Sequence, residues 1–279
     1  MKLKSSFYFY FLGLPLFLFL FVIIFLTGYL IAQGIPVLSL KFLFSYPEKQ
    51  MTAGGIFPVI FGSFYLTILA FIFSLIPSLF SGIYFAYYAQ HNFFTFTLKT
   101  LIKSLSGMPS IVFGLFGLAL FVQTFKLGLS LLASSLTLSL LTIPYLITTT
   151  EEALLSVPHT FYEAAIALGI PKWTVIRKII LPEAKPLLLS GVFLAFARLI
   201  GEVAPILFTG VAFYLKTISF SPLEKFMALP YHIYILATQH EKILKVRPIA
   251  FASSLVLLFF ALTFGIIAYI LRMKIKKYY

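Results

Sequence analysis

The chain has 279 residues, of which 61% are hydrophobic and only 10% are charged, and its net charge is +13. An ordinary soluble protein carries about 25% charged residues and could not cover so much apolar surface, so the composition indicates a membrane protein. The chain lacks cysteine, which excludes disulfides and thiolate zinc sites, and it has no basic stretch long enough to follow a nucleic acid. The positive charge instead fits cytoplasmic loops and contact with anionic membrane lipids.

Several apolar segments are each long enough to cross a bilayer, because a spanning helix needs roughly 20 residues. They are Phe7–Ala32, Ile56–Phe85, Ser104–Phe125, Leu127–Thr149, Leu187–Gly210 and Pro248–Leu271. The first is too long for the apolar core of a cleaved signal peptide, so we expect a retained anchor. Together they predict an all-α membrane protein with about six transmembrane helices, joined by loops. We expect an N-terminal helix and extracytoplasmic loop over 1–54, followed by the main membrane domain over 55–279.

The segment 151–185 between the fourth and fifth spans is more polar, and it predicts a hairpin of two short helices. Thr160 and Glu163 have the spacing of a capping box, in which both side chains bind free backbone N–H groups. Gly169 stands where the end of a helix favours a left-handed residue. The first helix of the hairpin is therefore expected to begin at Thr160 and to end just before Gly169.

The second helix of this hairpin carries an apolar stripe, because Trp173, Ile176 and Ile180 recur at helical spacing. We expect Pro182 to end the helix, since proline lacks the N–H that would continue it. Such a hairpin can insert its stripe into a groove on a partner protein, or it can lie on lipid headgroups. The residues alone do not decide between these two roles.

The hairpin also carries a longer pattern, which reads E-A-A, three residues, G, nine residues, then I-x-L-P. Its fixed positions are Glu163, Ala164, Ala165, Gly169, Ile179, Leu181 and Pro182. This pattern resembles the coupling motif of ABC importer permeases. The resemblance implies a cytoplasmic hairpin that docks on a separate ATPase subunit, with both termini in the cytoplasm. A modest excess of Lys and Arg on that side favours the same orientation.

Other segments resemble the phosphate ABC transporter permeases of the PstA type. They are Gly54–Pro58, Gly107–Gly117, Arg198–Thr209 and Leu229–Pro230, with Val203 in place of the Thr usual in that type. The resemblance implies a multi-pass inner-membrane subunit with the type I (MetI-like) permease fold that imports phosphate. It implies as partners a PstC-type second permease, a dimer of PstB-type ATPase subunits, an extracytoplasmic phosphate-binding protein and membrane lipids.

The same resemblance assigns ATP and Mg²⁺ to the partner ATPase, so this chain is expected to need no cofactor and to be no enzyme by itself. In agreement, the sequence has no G-x-x-x-x-G-K-[ST] loop for nucleotide phosphates. Its His residues lie in predicted loops without the spacing of metal ligands, so no metal site is expected.

Arg198 is the only cation inside a predicted span, and Glu202 follows one helical turn later on the same face. A charge at the centre of a spanning helix costs at least about 2.5–3.5 kcal/mol, so such residues are by default functional. The pair either stabilises the helix bundle alone, or Arg198 meets an oxyanion while Glu202 holds it in place. We favour the second role, because guanidinium matches phosphate oxygens in a bidentate manner.

Rival functions stay open at this point. A permease for molybdate or tungstate, or the PstC-type partner itself, would have the same fold, although Ala204-Pro205 after Gly201-Glu202 favours the PstA type. An ion-coupled secondary transporter is expected to carry several intramembrane carboxylates or an inverted repeat. A membrane-anchored scaffold would need no charge pair in a span.

Overall fold

The computed structural model describes residues 2–90, 92–215 and 217–275, and most of them are helical. Within this part of the chain, five helices are long and apolar enough to cross a membrane, or six if one bent pair counts as a single span. The predicted all-α membrane fold with about six spans is therefore confirmed. A small antiparallel ribbon, formed by β1 (Pro47–Glu48) and β2 (Ala53–Gly54), lies in the first predicted loop.

The helices follow one another along the chain, and the longest connection lies between α10 and α11. In order they are α1 (Lys2–Gly34), α2 (Leu40–Phe44), α3 (Phe57–Ile83), α4 (Phe93–Ser106), α5 (Ser110–Gly117), α6 (Leu131–Leu155), α7 (His159–Ala167), α8 (Lys172–Val175), α9 (Leu181–Leu199), α10 (Ala204–Leu207), α11 (Leu229–Thr238) and α12 (Ile243–Ile275). Some helices continue as wider, π-helical turns. These turns are Tyr84–Tyr88 after α3 (the aromatic turn), Leu118–Thr124 after α5, and Ile176–Ile180 between α8 and α9.

The chain forms two compact units, and the first consists of the segment up to Phe57 together with Ile233–Val256. Here α1 packs closely on the first part of α12. A Cβ added at Gly34 would lie 3.0 Å from the backbone of Phe251, and the Tyr29 ring meets the Phe251 ring edge-on at 5.5 Å. The small size of Gly34 therefore permits this helix contact.

The second unit, Pro58–His232 with the segment from Leu257 onward, holds the core of the membrane domain. A buried apolar cluster joins α3, α5, α6, the end of α9 and α10. The cluster consists of Leu66, Ala70, Phe113, Leu131, Leu138, Leu141, Leu199, Ile206, Phe226 and Ala228. Helix α5 approaches α6 very closely, because a Cβ at Gly117 would collide with the side chain of Thr137. Glycine at this position lets the two helices touch.

The predicted third span, Ser104–Phe125, is wrong at its start. The chain instead forms α4, where a loop was expected, and then bends by 99° into the helix that begins with α5. The bend lies at Gly107–Pro109, where Pro109 is extended with ψ at 135°. Proline also disfavours helical backbone at the residue before it, so α4 cannot continue. Hydropathy missed the bend because apolar residues flank it on both sides.

The predicted fifth span, Leu187–Gly210, is displaced toward the N-terminus. Lys172–Leu199 forms one continuous helix, so Pro182 does not end the second hairpin helix as expected. The π-helical turn before it absorbs the proline, because the Leu181 N–H bonds to the Ile176 carbonyl five residues back. Pro182 then occupies the first turn of α9, where its missing N–H costs little.

Candidate functional site

Arg198 and Glu202 lie where the helix α9 ends inside the membrane domain. Arg198 belongs to the last turn of α9, whereas Glu202 lies in the non-helical segment Ile200–Val203. The expectation that both share one helix is therefore wrong, yet Arg198 Nε still lies 3.6 Å from Glu202 Oε1. The Arg198 side chain is 50% exposed and that of Glu202 only 16%, so the carboxylate is mostly buried while half of the arginine side chain remains accessible.

The cleft beside Arg198 is built from two helices. Ala195 and Leu199 of α9 line it from one side, and Leu141, Thr142 and Tyr145 of α6 line it from the other. These α6 residues stand near the middle of a helix of 25 residues, so α9 unwinds well inside the bundle. Unwound backbone at such depth in a membrane is tolerated only where protein buries it or where it lines a watery path.

The segment after α9 is anchored to the start of α6. The Thr209 hydroxyl donates to Ser134 Oγ at 2.9 Å, and the Ser130 N–H donates to the Thr209 carbonyl at 3.0 Å. These bonds hold the chain just after α10, and burial of Leu199 in the core holds the end of α9 on the other side of the unwound stretch. The position of Glu202 is therefore set by the fold and not by its own helix.

Sequence reasoning missed Tyr145 as a neighbour of Arg198. The phenol lies in the same cleft, and the Arg198 charge acts on it electrostatically. The available signal was the spacing of Thr142, Tyr145 and Thr149, which places three hydroxyl side chains on one face of α6. The sequence did not say which helix this face meets, so the signal stayed unused.

At the other end of the bundle, the hairpin turns at Gly169 as predicted. Gly169 has φ at +77°, and a Cβ there would meet no atom within 4 Å. The left-handed backbone, and not close packing, is what favours glycine. The predicted capping box is wrong, because α7 begins at His159 after Pro158 and Glu163 Oε1 lies 3.0 Å from His159 Nδ1.

Two of the three residues in the predicted apolar stripe, Ile176 and Ile180, are covered by this chain itself. Ile176 and Ile180 are fully buried, in a cluster with the ends of α3 and α6. The cluster, here called the hairpin core, consists of Ile83, Leu154, Val157, Ala165, Val175, Ile176, Ile180 and Ala184. Periodicity identified a buried face correctly but could not tell that its partner is internal.

The hairpin also exposes apolar side chains, and Trp173 of the predicted stripe is one of them. The others are Phe161, Ile166 and Leu168, with Leu168 80% exposed. Among the motif residues, Glu163, Ala164, Gly169 and Pro182 are exposed, Ile179 and Leu181 are half-buried, and Ala165 lies in the hairpin core. One part of the motif therefore faces outward, and another part packs the hairpin against the helix bundle.

The aromatic turn at the end of α3 touches both helices of the hairpin. The Tyr87 hydroxyl donates to the Leu154 carbonyl at 3.3 Å, and the Tyr87 ring lies 5.1 Å from the Tyr162 ring of α7. The Lys172 ammonium at the start of α8 lies 4.6 Å from the centre of the Tyr88 ring. A displacement of the hairpin must therefore act on α3 directly.

The helix α4 joins the same end of the bundle through one lysine. Lys99 Nζ pairs with Glu151 Oε1 near the end of α6, and it also lies 5.6 Å from the centre of the Phe85 ring. Both side chains of the pair are mostly buried, with 31% and 18% of their surface exposed. Lys99 thus ties α4 to α6 and to the aromatic turn together.

A metal centre finds no support in the described part of the chain, where no three His, Asp or Glu side chains gather as ligands would.

Comparison with known proteins assigns most of the chain to one family. The family model described as "Binding-protein-dependent transport system inner membrane component" matches residues 78–277. The probable ABC transporter permease protein YqgI of Bacillus subtilis is 34% identical over 66% of this chain and 63% of its own length. The phosphate transport system permease protein PstA of Mycobacterium leprae is 38% identical over 68% and 62%, so the chain spans a little under two thirds of both relatives.

A more complete match is the probable phosphate transport system permease protein PstA of Methanocaldococcus jannaschii. It is 32% identical over 88% of this chain and 86% of its own length. Among solved structures, a chain of the MetNI methionine ABC transporter superposes with a TM-score of 0.58 at 15% identity, covering 76% of this chain and 94% of the other. That likeness confirms the expected MetI-type permease fold. The chain therefore belongs to the family of binding-protein-dependent transport system inner membrane components.

Proposed function

We propose that this chain is a membrane-spanning permease subunit of an ATP-driven phosphate importer. Relatives named as PstA phosphate permeases, at 38% and 32% identity, support phosphate as the substrate. The chain forms half of the translocation pathway, and a homologous PstC-type permease forms the other half. A dimer of PstB-type ATPase subunits binds ATP and Mg²⁺, and an extracytoplasmic binding protein delivers the phosphate.

The observation that carries this proposal is the position of Arg198. Its side chain is 50% exposed in the cleft beside the middle of α6, so its guanidinium can contact a substrate. An anion in a low-dielectric path needs a compensating positive charge. Arg198 supplies that charge with planar donors that match a phosphate group, and Glu202 holds the guanidinium from one side at 3.6 Å. One carboxylate fixes the arginine while leaving donors free for a substrate.

In the proposed mechanism, the hairpin receives the movement of the ATPase. Its exposed side chains around Gly169 dock on the ATPase, so the hairpin and both termini lie in the cytoplasm and the subunit spans the inner membrane several times. The hairpin core and the aromatic turn pass the movement to α3 and α6. Because α6 also lines the cleft of Arg198, the same movement changes access to the anion site.

A competing candidate is a permease of the same type for another oxyanion, such as molybdate or tungstate. Guanidinium recognises tetrahedral oxyanions by their oxygens, so Arg198 alone does not select phosphate. Val203, next to Glu202, departs from the Thr usual in the PstA type and keeps this candidate open.

The test is transport by the complete complex of this chain with its second permease, its ATPase and its binding protein, reconstituted in lipid vesicles. We expect ATP-dependent uptake of labelled phosphate that excess unlabelled phosphate abolishes and that molybdate and tungstate leave unchanged. Uptake of labelled molybdate without uptake of phosphate would replace the proposal by its competitor. Uptake without ATP, driven by an ion gradient, would overturn both.

A further inference from the structure

An anion that passes through protein is held by N–H and O–H groups that are free to donate to it. In the cleft of Arg198, the Thr142 hydroxyl is not free, because it already donates to the Leu138 carbonyl at 2.8 Å. Serine and threonine commonly bond in this way to the preceding turn of their own helix. A hydroxyl has one hydrogen, so Thr142 cannot donate to an anion without giving up this bond.

The next threonines along α6 are engaged in the same manner. The Thr148 hydroxyl donates to the Pro144 carbonyl at 3.0 Å, and the Thr149 hydroxyl donates to the Tyr145 carbonyl at 3.0 Å. Thr149 faces Gly191 of α9, and neither threonine has a hydroxyl hydrogen left to donate to an anion. The polar appearance of this stretch in the sequence therefore overstates its capacity to bind an anion.

Tyr145 differs from its neighbours. Its ring places the phenolic oxygen too far from its own backbone to bond there, and within the described residues the hydroxyl makes no hydrogen bond. The side chain is partly exposed and lines the cleft together with Arg198, Ala195 and Leu141. Among the residues that line this cleft, Tyr145 and Arg198 are thus the two whose side chains have hydrogen-bond donors available for an anion.

Small residues on α9 let this helix pack closely on the same face of α6. Gly191 lies opposite Thr149, where an added Cβ would come within 3.2 Å of the threonine Cβ, and Ala195 lies opposite Tyr145 and Thr142 in the cleft. A larger side chain at either α9 position would press on α6. This close packing brings the end of α9, with Arg198, beside Tyr145.

From these observations we infer that the Tyr145 hydroxyl is a second ligand of the oxyanion that Arg198 binds. This inference rests on the proposed function and deepens it. Arg198 supplies the charge, and Tyr145 supplies a neutral donor that orients the anion without adding a second positive charge. A path must bind its ion strongly enough to admit it and weakly enough to release it, and a neutral donor suits that requirement.

The test is uptake of labelled phosphate by the complete reconstituted complex with Tyr145→Phe, which removes the hydroxyl and keeps the ring. A neutral hydrogen bond of ordinary strength predicts an uptake rate about 3- to 10-fold below wild type. ATPase activity and the melting temperature of the complex should stay at their wild-type values. The matched control is Thr142→Val in the same cleft, whose lost hydroxyl was engaged with backbone and whose uptake should not fall.

Two outcomes would overturn the inference. One is wild-type uptake by an assembled Tyr145→Phe complex, and the other is an equal loss in Thr142→Val, which would assign the effect to helix packing. If Tyr145→Phe does not assemble, Tyr145→His decides the question, because it restores a ring donor and should transport phosphate. An assembled His variant without uptake contradicts the inference. Failure of the wild-type complex to carry phosphate would instead refute the proposed function.

Discussion

The two ends of the helix that runs from Lys172 to Leu199 have opposite characters. At the hairpin end, Ile176 and Ile180 are fully buried in an apolar core, and rings and lysines link the neighbouring helices. At the other end, Arg198 stands half-exposed beside a small cleft, and the chain then leaves the helix. In the proposed function, one end therefore transmits movement and the other contacts the substrate.

This difference matters because a continuous helix connects both ends. A helix of 28 residues extends about 42 Å at 1.5 Å per residue. The hairpin end can move only together with α3 and α6, whereas at the other end the half-exposed Arg198 side chain can change its contacts. Substitutions at the two ends should therefore fail in different ways, one through assembly and coupling and the other through transport alone.

The largest effect on transport is expected from Arg198→Ala, which removes the charge and leaves Glu202 unpaired. We expect an assembled complex whose phosphate uptake falls by more than about tenfold, since hydrogen bonds to charged groups contribute about 1.5–3 kcal/mol. Arg198→Lys keeps the charge but loses the bidentate donors of the guanidinium, so its uptake should be intermediate. Glu202→Gln should reduce uptake less than Arg198→Ala does. The measurement is labelled phosphate uptake per assembled complex. Full uptake by Arg198→Ala would make the pair structural.

At the hairpin end, Ile176→Ala and Trp173→Ala should separate stability from docking. Ile176 is fully buried, so its truncation should lower the free energy of unfolding by about 2–5 kcal/mol. Trp173 is 46% exposed, so its truncation should spare stability and weaken retention of the ATPase during purification. Thermal unfolding of the detergent-solubilised complex and co-purification of the ATPase measure the two effects. Equal losses of stability would show that Trp173 is also covered within this chain.

A smaller effect is expected from Gly169→Val, because a β-branched residue is strained at φ of +77°. The strain costs about 1–3 kcal/mol and should distort the turn that we propose docks on the ATPase, so uptake and ATPase retention should both fall. Gly128→Val is the matched control, since Gly128 also has a positive φ, +67°, with open space around it. Gly128→Val should be strained to a similar degree, but its complex should retain the ATPase during purification. If both variants showed the same uptake and the same ATPase retention, Gly169 would not belong to the docking surface.

The smallest effect is expected from Tyr87→Phe, which removes one hydroxyl and keeps the ring against Tyr162. Loss of its bond to the Leu154 carbonyl should cost about 1 kcal/mol and reduce the phosphate carried per ATP hydrolysed by about twofold. Tyr65→Phe removes a comparable bond, to the Phe220 carbonyl at 3.0 Å, far along the chain from the hairpin contacts. It should leave the ratio of transport to hydrolysis unchanged. An identical decline of this ratio in both variants would mean that the Tyr87 hydroxyl has no specific role in coupling transport to ATP hydrolysis.

Local chemistry was predictable from the sequence, because it depends on neighbouring residues. Gly169 indicated a left-handed turn, and the spacing of Arg198 and Glu202 predicted their pairing. Whatever depends on distant parts of the chain was not predictable. The helix end at Leu199 is set by the anchoring of Thr209 on Ser134, which lie 75 residues apart.

The same reasoning explains the failures at the hairpin and in the third span. The burial of Ile176 depends on the ends of α3 and α6, which the local sequence does not reveal. The 99° bend after α4 depends on Gly107–Pro109, whose effect is lost in an average over apolar neighbours. Periodicity finds a face, but only the three-dimensional fold says what lies against it.

The π-helical turn Ile176–Ile180 has a consequence for the evolution and engineering of this helix. One turn of it holds one residue more than an α-helical turn. Deleting one residue there would restore an α-helical turn, and Lys172 and Trp173 would keep their direction around the helix axis relative to the spanning part. The same deletion in the regular part of α9 would rotate them by about 100°. The π-helical turn is thus the place in this helix where a residue can be lost without turning the exposed side chains of the hairpin in a new direction.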